Sequence, residues 1–224
     1  GSAAISAVSL VDSINVLVIQ AFSALAAGGA IVCAQYIGQR NKEKANESAR
    51  QVLFIITAIS VAVSLICLVF QKPLLRLIFG SVEAEVMRAS EIYFFYTALS
   101  FPFIAAYDSA ASIFRAQDNT RGPMTISMIS NVMNIAGNAI MIWVFHMGVA
   151  GAAWATILSQ FLSAVLSLIV GLKKYPILHL RRGDFSDLKD AAILHLKTGF
   201  PMGFQMSVMC IGQLAMQTVV NSLG

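Results

Sequence analysis

Four polar residues in an otherwise apolar stretch could form a binding surface. Ser127, Asn131, Asn134 and Asn138 are separated by steps of four, three and four residues, so on an α-helix they share one face over about 16 Å. In a helix that crosses a membrane, such amide and hydroxyl groups either hydrogen-bond to a neighbouring helix or line a water-filled path. The spacing leaves both interpretations open.

Two carboxylates also lie in or next to apolar stretches. Asp108 precedes Arg115 by two helical turns, about 10 Å along a helix, so the two could form an ion pair through water. Alternatively, Asp108 could belong to a relay for protons or cations. Asp12, with Asn15 on the same helical face, stands where an apolar run begins. It could anchor the chain at the membrane surface or act as a coupling site.

The last apolar stretch has side chains suited to a deformable wall that accepts varied ligands, although the same side chains could simply face lipid. The residues are Phe200, Met202, Phe204, Gln205, Met206 and Met209.

The chemistry that the sequence lacks narrows the function. It contains no HExxH, GxSxG or P-loop sequence, and no paired Asp-rich motifs. Its three cysteines lie in apolar runs without the spacing of a metal site or a disulfide framework. Intramembrane metal catalysis and ATP-driven transport are therefore disfavoured. We expect a protein that is not an enzyme and has no metal site, with no cofactor besides a coupling ion.

The composition is that of a membrane protein. Of the 224 residues, 58% are hydrophobic and 12% are charged, whereas about a quarter are charged in soluble domains. The mean hydropathy is +0.76. This composition excludes a soluble enzyme, a nucleic-acid-binding domain and a disordered chain.

Six segments are predicted to cross the bilayer as helices, since each offers about the 20 apolar residues that a span needs. The third span would hold Asp108 within the membrane, and the break between the fourth and fifth spans falls at residues 146–148. A short interfacial helix is expected around residues 74–79, and an amphipathic surface helix over residues 184–197. The predicted spans are 13–38, 51–71, 91–115, 123–146, 148–172 and 199–222.

Lysine and arginine positions predict the orientation. If residues 40–50 are cytoplasmic, alternation of the spans places residues 115–121 and 173–197 on the same side. That side then holds 12 of the 15 basic residues, as the positive-inside rule requires. The first span accordingly runs from the outside to the cytoplasm.

Small residues predict close helix packing in two spans. Gly151, Ala155, Ser159 and Ser163 recur every fourth residue in the fifth span, which lets two helix backbones approach. The first span has a similar pattern around Gly28. Pro102 and Pro201 remove backbone donors, so we expect helix bends at these positions.

Four stretches resemble the multidrug and toxic compound extrusion (MATE) family, and they occur in the family's order. They are AQYIGQRN at 34–41, FRAQDNTRGPM at 114–124, NIAGN at 134–138 and GVAGAAWAT at 148–156. The resemblance implies an all-α membrane protein of twelve helices in two six-helix lobes around a cleft. It also implies export coupled to entry of protons or sodium ions.

The resemblance also implies a domain map. Residues 1–172 correspond to helices two to six of the first lobe, so helix one is not part of this sequence. Residues 173–198 correspond to a cytoplasmic inter-lobe linker with the amphipathic helix. Residues 199–224 correspond to the first helix of the second lobe.

One branch of the family has a coupling site with an Asp on helix one, Asn-x-x-x-Asp on helix five and a Thr on helix six. By this resemblance Asn134 matches the Asn, Thr156 is the candidate Thr, and Asn138 occupies the Asp position. An amide cannot bind a proton as a carboxylate does. The other branch uses a Glu on helix seven, and residues 205–210 contain no acid.

From the residues and the resemblance together, we expect a cation-coupled multidrug antiporter of the bacterial inner (plasma) membrane. It would export drugs or toxic organic cations by alternating access, with protons or sodium as the coupling ion and the rest of its own chain as a partner. The expected cleft residues are Asp108, Asn131, Asn134, Asn138, Thr156, Gln205 and Met206.

Three alternatives remain at this stage. A flippase for lipid-linked oligosaccharides from the same superfamily would need a cationic cleft for a diphosphate, but the basic residues lie at the membrane edges. A non-transporting membrane scaffold or a membrane-embedded enzyme would bury the asparagine stripe against a neighbouring helix, whereas a transporter would expose it to water.

Overall fold

A computed structural model describes residues 2–80, 82–174 and 187–223. These residues form seven helices, and no strand occurs within them, so the all-α class is confirmed. The helices are α1 (Ser2–Gly38), α2 (Lys42–Val69), α3 (Gln71–Phe79), α4 (Ala84–Ala116), α5 (Arg121–Ala139, continued by a π-helical turn over Ile140–Val144), α6 (Gly148–Lys174) and α7 (Leu188–Leu223).

The turns between helices use short polar side chains. Between α1 and α2, Arg40 has a positive φ of 56° and the Asn41 side chain accepts a hydrogen bond from the Lys44 amide at 3.1 Å, which caps α2. Between α4 and α5, the Asn119 side chain accepts from the Gly122 amide at 3.1 Å. Two of the stretches that resemble the MATE family therefore include the turns that end one helix and start the next.

The long helices alternate in direction. Asp12 and Ser23 of α1 contact Tyr93 and Asp108 of α4 respectively, so α1 and α4 run parallel. Helix α6 runs parallel to α4, while α5 and α7 are antiparallel to their neighbours. One end of the bundle therefore collects the α1–α2 and α4–α5 turns, the end of α6 and the start of α7. We call this the basic end, because it holds Arg40, Lys42, Lys44, Arg50, Arg115, Arg121, Lys173, Lys189 and Lys197.

The core lies where α1 crosses α4. Val11, Phe22, Phe94 and Phe101 are buried there, and the Phe22 and Phe101 rings meet edge to face at 6.2 Å between centroids. Burial of such aromatic side chains is a large source of packing energy. This interface fixes how α1 and α4 pack against each other.

Small residues allow two close helix contacts. A Cβ added at Gly137 of α5 would lie 3.1 Å from the Ala155 Cβ of α6, and one added at Gly151 would lie 3.0 Å from the Met141 Cβ. A Cβ added at Gly28 of α1 would collide with the backbone of Gly199 of α7. The close packing predicted from the small-residue patterns is confirmed at these contacts.

Pro102 lies inside α4 and leaves one carbonyl without its helical donor. The carbonyl that an ordinary residue 102 would bond is that of Ala98, four residues earlier. The Ser64 hydroxyl of α2 donates to this Ala98 oxygen at 2.7 Å. A neighbouring helix thus replaces the bond that proline removes, as membrane helices require.

Four of the helical segments are long and apolar enough to cross a membrane, within the described ranges. They are Ala3–Gly38, Lys42–Val69, Arg121–Val144 and Gly148–Lys173. Helices α4 and α7 are 33 and 36 residues long but contain more polar sequence. The count of six spans therefore stays a prediction.

Helix α3 matches the short helix expected around residues 74–79. The amphipathic segment differs from expectation, because residues 188–197 continue without a break into the last predicted span as one helix, α7. Residues 184–186 of that segment lie outside the described residues. Gly199 and Pro201 follow directly, yet neither ends the helix, and Pro201 lies inside α7.

Candidate functional site

The polar stripe of α5 hydrogen-bonds to α6. The Asn134 amide donates to the Ser159 hydroxyl at 3.2 Å and, at 3.5 Å, to the Thr156 hydroxyl. The Asn138 amide in turn donates to the Asn134 side-chain oxygen at 3.1 Å. Of the asparagines of α5, Asn134 therefore bonds directly to α6, and Asn138 is joined to α6 through Asn134.

A polar cavity of about 230 Å³ lies beside these hydrogen bonds, between α4, α5 and α6. Asn131 is exposed and borders it, whereas Asn134 is only half-buried by its contacts. The stripe consequently does both things that its spacing allowed: it bonds to a neighbouring helix and lines a cavity. The lining residues are Tyr107, Ser127, Ser130, Asn131, Asn134, Thr156, Ser159, Gln160 and Ser163.

Polar side chains continue beyond α6 to α4 and α1. The buried Tyr93 hydroxyl of α4 is close enough to Thr156 of α6 to interact with it, and it donates a hydrogen bond to the Asp12 carboxylate of α1 at 3.1 Å. The Asn15 amide donates to the same Asp12 oxygen at 3.3 Å. We call the set Asp12, Asn15, Tyr93, Asn134, Asn138, Thr156 and Ser159 the polar network.

Two amide oxygens of the polar network have no partner. They are Oδ1 of Asn15 and Oδ1 of Asn138, both buried, and the described part of the chain offers neither a donor. A buried acceptor without a donor is costly and is uncommon in native proteins. These two oxygens therefore identify positions where a ligand with a donor or a positive charge would be stabilised.

Asp108 has a partner that the sequence did not predict. Its carboxylate accepts a hydrogen bond from the Ser23 hydroxyl of α1 at 2.7 Å, while the Arg115 guanidinium donates to the Ser112 hydroxyl at 3.2 Å. Spacing along one helix could not predict the bond from α1, because a residue on an adjacent helix can come closer than one two turns along the same helix. The ion pair with Arg115 through water stays a prediction. Arg115 is exposed and reaches toward the membrane edge, as long basic side chains do.

Gln205 and Met206 lie apart from the polar network. Both are on α7, which packs against α1 and α2, and Gln205 is exposed while Met206 is half-buried. The expected cleft residues therefore fall into three groups: Asn131, Asn134, Asn138 and Thr156 together, Asp108 with Ser23, and the α7 pair.

Sequence reasoning missed Tyr93, and it interpreted Asp12 and Ser159 differently. Tyr93 is 81 residues from Asp12, so no local spacing connects them. Ser159 was assigned only to packing in the small-residue pattern. Ser159 and Ser163 are four residues apart, so their hydroxyl groups lie on one face of α6. That spacing was the signal that this face can also form hydrogen bonds.

A second cavity, of about 210 Å³, lies at the basic end between α1, α2 and α7. His195 borders it and is 4% exposed, and burial lowers the pKa of His195 to about 4, so the imidazole is neutral at neutral pH. Glu47 and Asp190 also line this cavity. Within the described residues, no group of three or more His, Cys, Asp or Glu side chains could hold a metal ion.

Known proteins share this fold. The chain superposes on a crystal structure of MATE in the bent conformation with a TM-score of 0.86 and 23% identity, covering 100% of this chain and 50% of that one. An outward-facing multidrug resistance MATE family transporter of the MOP superfamily gives a TM-score of 0.83 over 100% of this chain and 49% of that one, also with 23% identity. At this identity the likeness shows the fold alone.

Curated relatives are similar in sequence over much of this chain. The probable multidrug resistance protein YpnP of Bacillus subtilis (strain 168) is 28% identical over 76% of this chain and 37% of its own length. The probable multidrug resistance protein NorM of Thermotoga maritima is 27% identical over 99% of this chain and 48% of its own length. The chain spans about half the length of the curated relatives it matches, or less.

A sequence model of a protein family assigns this chain to that family. The MatE model matches residues 1–140, which contain α1 to α5 with the Asp12, Tyr93, Asn134 and Asn138 side chains of the polar network. MATE proteins are membrane transporters rather than enzymes. With this match added to the shared fold, the chain belongs to the MatE family of membrane transporters.

Proposed function

We propose that the protein containing this chain is an antiporter that exports cationic or amphipathic small molecules by alternating access, in exchange for protons or sodium ions. The observation that supports the proposal is the polar network, which joins a carboxylate to amide and hydroxyl groups across four helices of an apolar bundle. Ionisable groups inside membrane helices are costly and typically mark ion pathways. A bundle with only a structural role would not need a carboxylate without a basic partner at this position.

The bacterial plasma membrane is the proposed location, with the basic end in the cytoplasm. The basic residues at that end support this orientation, since cytoplasmic loops of inner membrane proteins are rich in lysine and arginine. The names of the Bacillus and Thermotoga relatives support drugs or toxic organic cations as the exported molecules.

The side chains around the network disfavour the flippase alternative. A site for a lipid diphosphate needs basic side chains, and residues 122–172, which supply α5 and most of α6, contain none. The polar cavity is lined by neutral side chains only. An organic cation fits this environment better than an anion does.

Efflux by the intact parent protein tests the proposal. The parent would be reconstituted in liposomes loaded with ethidium, and an inward proton gradient or an inward sodium gradient would be imposed separately. We expect one of the two gradients to accelerate ethidium export several-fold over liposomes without protein. Export that is equal with and without both gradients would contradict cation coupling.

A further inference from the structure

Asp12 is the carboxylate of the polar network, and it lies about 16 Å along α1 from Ser23, the partner of Asp108. Tyr93 and Asn15 both donate to one of its oxygens, at 3.1 and 3.3 Å. Two neutral donors orient the carboxylate without neutralising it. The network thus has a negative charge at one end and an amide, Asn138, at the other.

One unpaired acceptor lies beside this carboxylate. Asn15 is 7% exposed, and its Oδ1 has no donor among the described residues. Because its amide nitrogen bonds to Asp12, this oxygen belongs to the same small region as the carboxylate. A carboxylate beside an unpaired amide oxygen is energetically unfavourable when no cation is bound. Binding of a proton or a small cation stabilises both groups.

Asp12 forms no ion pair with a basic side chain among the described residues; its two recorded partners are Tyr93 and Asn15. Residues 13–38 of α1, 51–69 of α2, 122–172 of α5 and α6, and 198–223 of α7 contain no charged residue. The basic residues at the same end of the bundle as Asp12 are Lys72 and Arg76 of α3 and Arg88 of α4. The other titratable groups at this end are Glu83, Glu85 and Glu91 at the start of α4, the Tyr93 hydroxyl, which donates to Asp12, and His146, which is exposed in the α5–α6 turn.

Within the described part of the chain, Asp12 borders open space. The residue is half-buried and borders a groove of about 970 Å³ between α1 and the turn that joins α5 to α6, with Val8, Ile142 and Val149 among the apolar side chains that line it. A charge that is both desolvated on one side and reachable on the other can bind and release a cation. Asp108, bonded to Ser23, does not belong to the polar network.

We propose that Asp12 binds the coupling cation in this bundle, as a proton or as sodium, in a polar network whose Asn138 provides only an amide. The inference rests on the proposed function, because cation binding contributes to transport only when it is coupled to release of the exported molecule. A proton would convert the carboxylate to a carboxyl whose O–H can donate to Asn15 Oδ1. Sodium would instead take both oxygens as ligands. Either cation cancels one negative charge.

Ion binding by the purified parent tests the assignment independently of transport. In weakly buffered detergent solution, tetraphenylphosphonium would be added and the released protons counted; sodium binding would be measured by calorimetry. The wild type should release about one proton, as one carboxyl can, or bind sodium. Asp12→Asn should lose that signal. The exposed carboxylate variant Glu85→Gln, on the first turn of α4, should keep it.

Moving the carboxylate within the network sharpens the test. We expect the double variant Asp12→Asn/Asn138→Asp to regain cation binding relative to Asp12→Asn. Should Asp12→Asn fail to fold, Asp12→Glu decides the question, because one extra methylene at the binding group should change the proton or sodium affinity at least several-fold. An affinity unaltered by Asp12→Glu would overturn the proposal.

The outcomes separate this proposal from the proposed function. If Asp12→Asn keeps the wild-type proton release or sodium binding, or if the wild type shows neither, Asp12 is not the binding group, whether or not ion-driven efflux occurs. If the wild type binds a cation through Asp12 but no ion gradient drives efflux, the proposed function fails and the assignment of Asp12 stands.

Discussion

Asn134 uses both ends of its amide group, one to bond α6 and the other to bond a residue of its own helix, α5. Its nitrogen donates to α6 and its oxygen accepts from Asn138 one turn away. Asn131, three residues earlier on the same stripe, is exposed and borders the cavity. Residues of one stripe thus differ in how freely they meet water.

Cysteine labelling should reveal this difference. In a parent with Cys33, Cys67 and Cys210 replaced by alanine, single cysteines at the three asparagine positions would be exposed to a water-soluble maleimide. We expect Asn131→Cys to react several-fold faster than Asn134→Cys or Asn138→Cys, because it has the exposed side chain. Complete protection at all three positions would contradict a water-accessible stripe and favour a scaffold.

At the scale of elements, α4 depends on α2 for its backbone bonding. Pro102 removes one donor from α4, and Ser64 supplies another from across the interface. Ser64 is 4% exposed, so water cannot easily take the place of its hydroxyl. This hydrogen bond couples the stability of α4 to that of α2 at this depth of the bundle.

Replacing Ser64 should therefore cost stability. Ser64→Ala leaves the Ala98 carbonyl without a donor, and we expect a loss of about 1–3 kcal/mol, measured by thermal unfolding of the parent in detergent. Ser60→Ala is the matched control. The buried Ser60 hydroxyl donates to Thr57 of its own helix, whose carbonyl keeps its helical donor, so its loss should be smaller. Equal effects would argue against the proline compensation.

Most helices could be predicted from apolar runs, because a bilayer imposes a minimum length on each. The break at residues 146–148 was predictable too, since His146-Met147-Gly148 is the polar interruption of a long apolar run. The chain turns there with positive φ at His146 and Gly148. The continuity of α7 was not, because an amphipathic pattern and an apolar pattern can follow each other on one unbroken helix. Helix continuity depends on backbone bonds, which hydropathy does not report.

For the candidate site, sequence spacing predicted only the pairing along one helix. Asn134 and Asn138 are four residues apart, so their contact follows from helical geometry. The contacts of Tyr93 with Asp12 and of Ser23 with Asp108 join residues 81 and 85 positions apart. Such pairs depend on which helices become neighbours, and several packings suit the same pattern of apolar residues.

At the scale of the molecule, α7 docks on the bundle through glycine. Gly28 and Gly199 meet backbone to backbone, and the Leu25 side chain packs over Gly199. Close backbone approach increases the packing contacts that hold helices together in lipid. The domain map predicted from the resemblance to MATE starts the second lobe at residue 199. On that prediction, this contact is a candidate joint between the lobes.

An added methyl group should weaken this contact. We expect Gly28→Ala and Gly199→Ala each to destabilise the parent by about 1–3 kcal/mol through overpacking, seen as a lower unfolding temperature in detergent. Gly38→Ala is the control, since a Cβ at that position would meet nothing within 4 Å. An unfolding temperature unchanged by both test variants would show that the helices are farther apart.

The meeting of Gly28 with Gly199 also has a consequence for how such sequences evolve. Where two side chains touch, enlarging one can be offset by shrinking the other, and the two positions covary. Here both partners are already without a side chain, so neither position can compensate for a change at the other. Among relatives that share this helix contact, we expect the two positions to stay glycine independently, with no covariation between them.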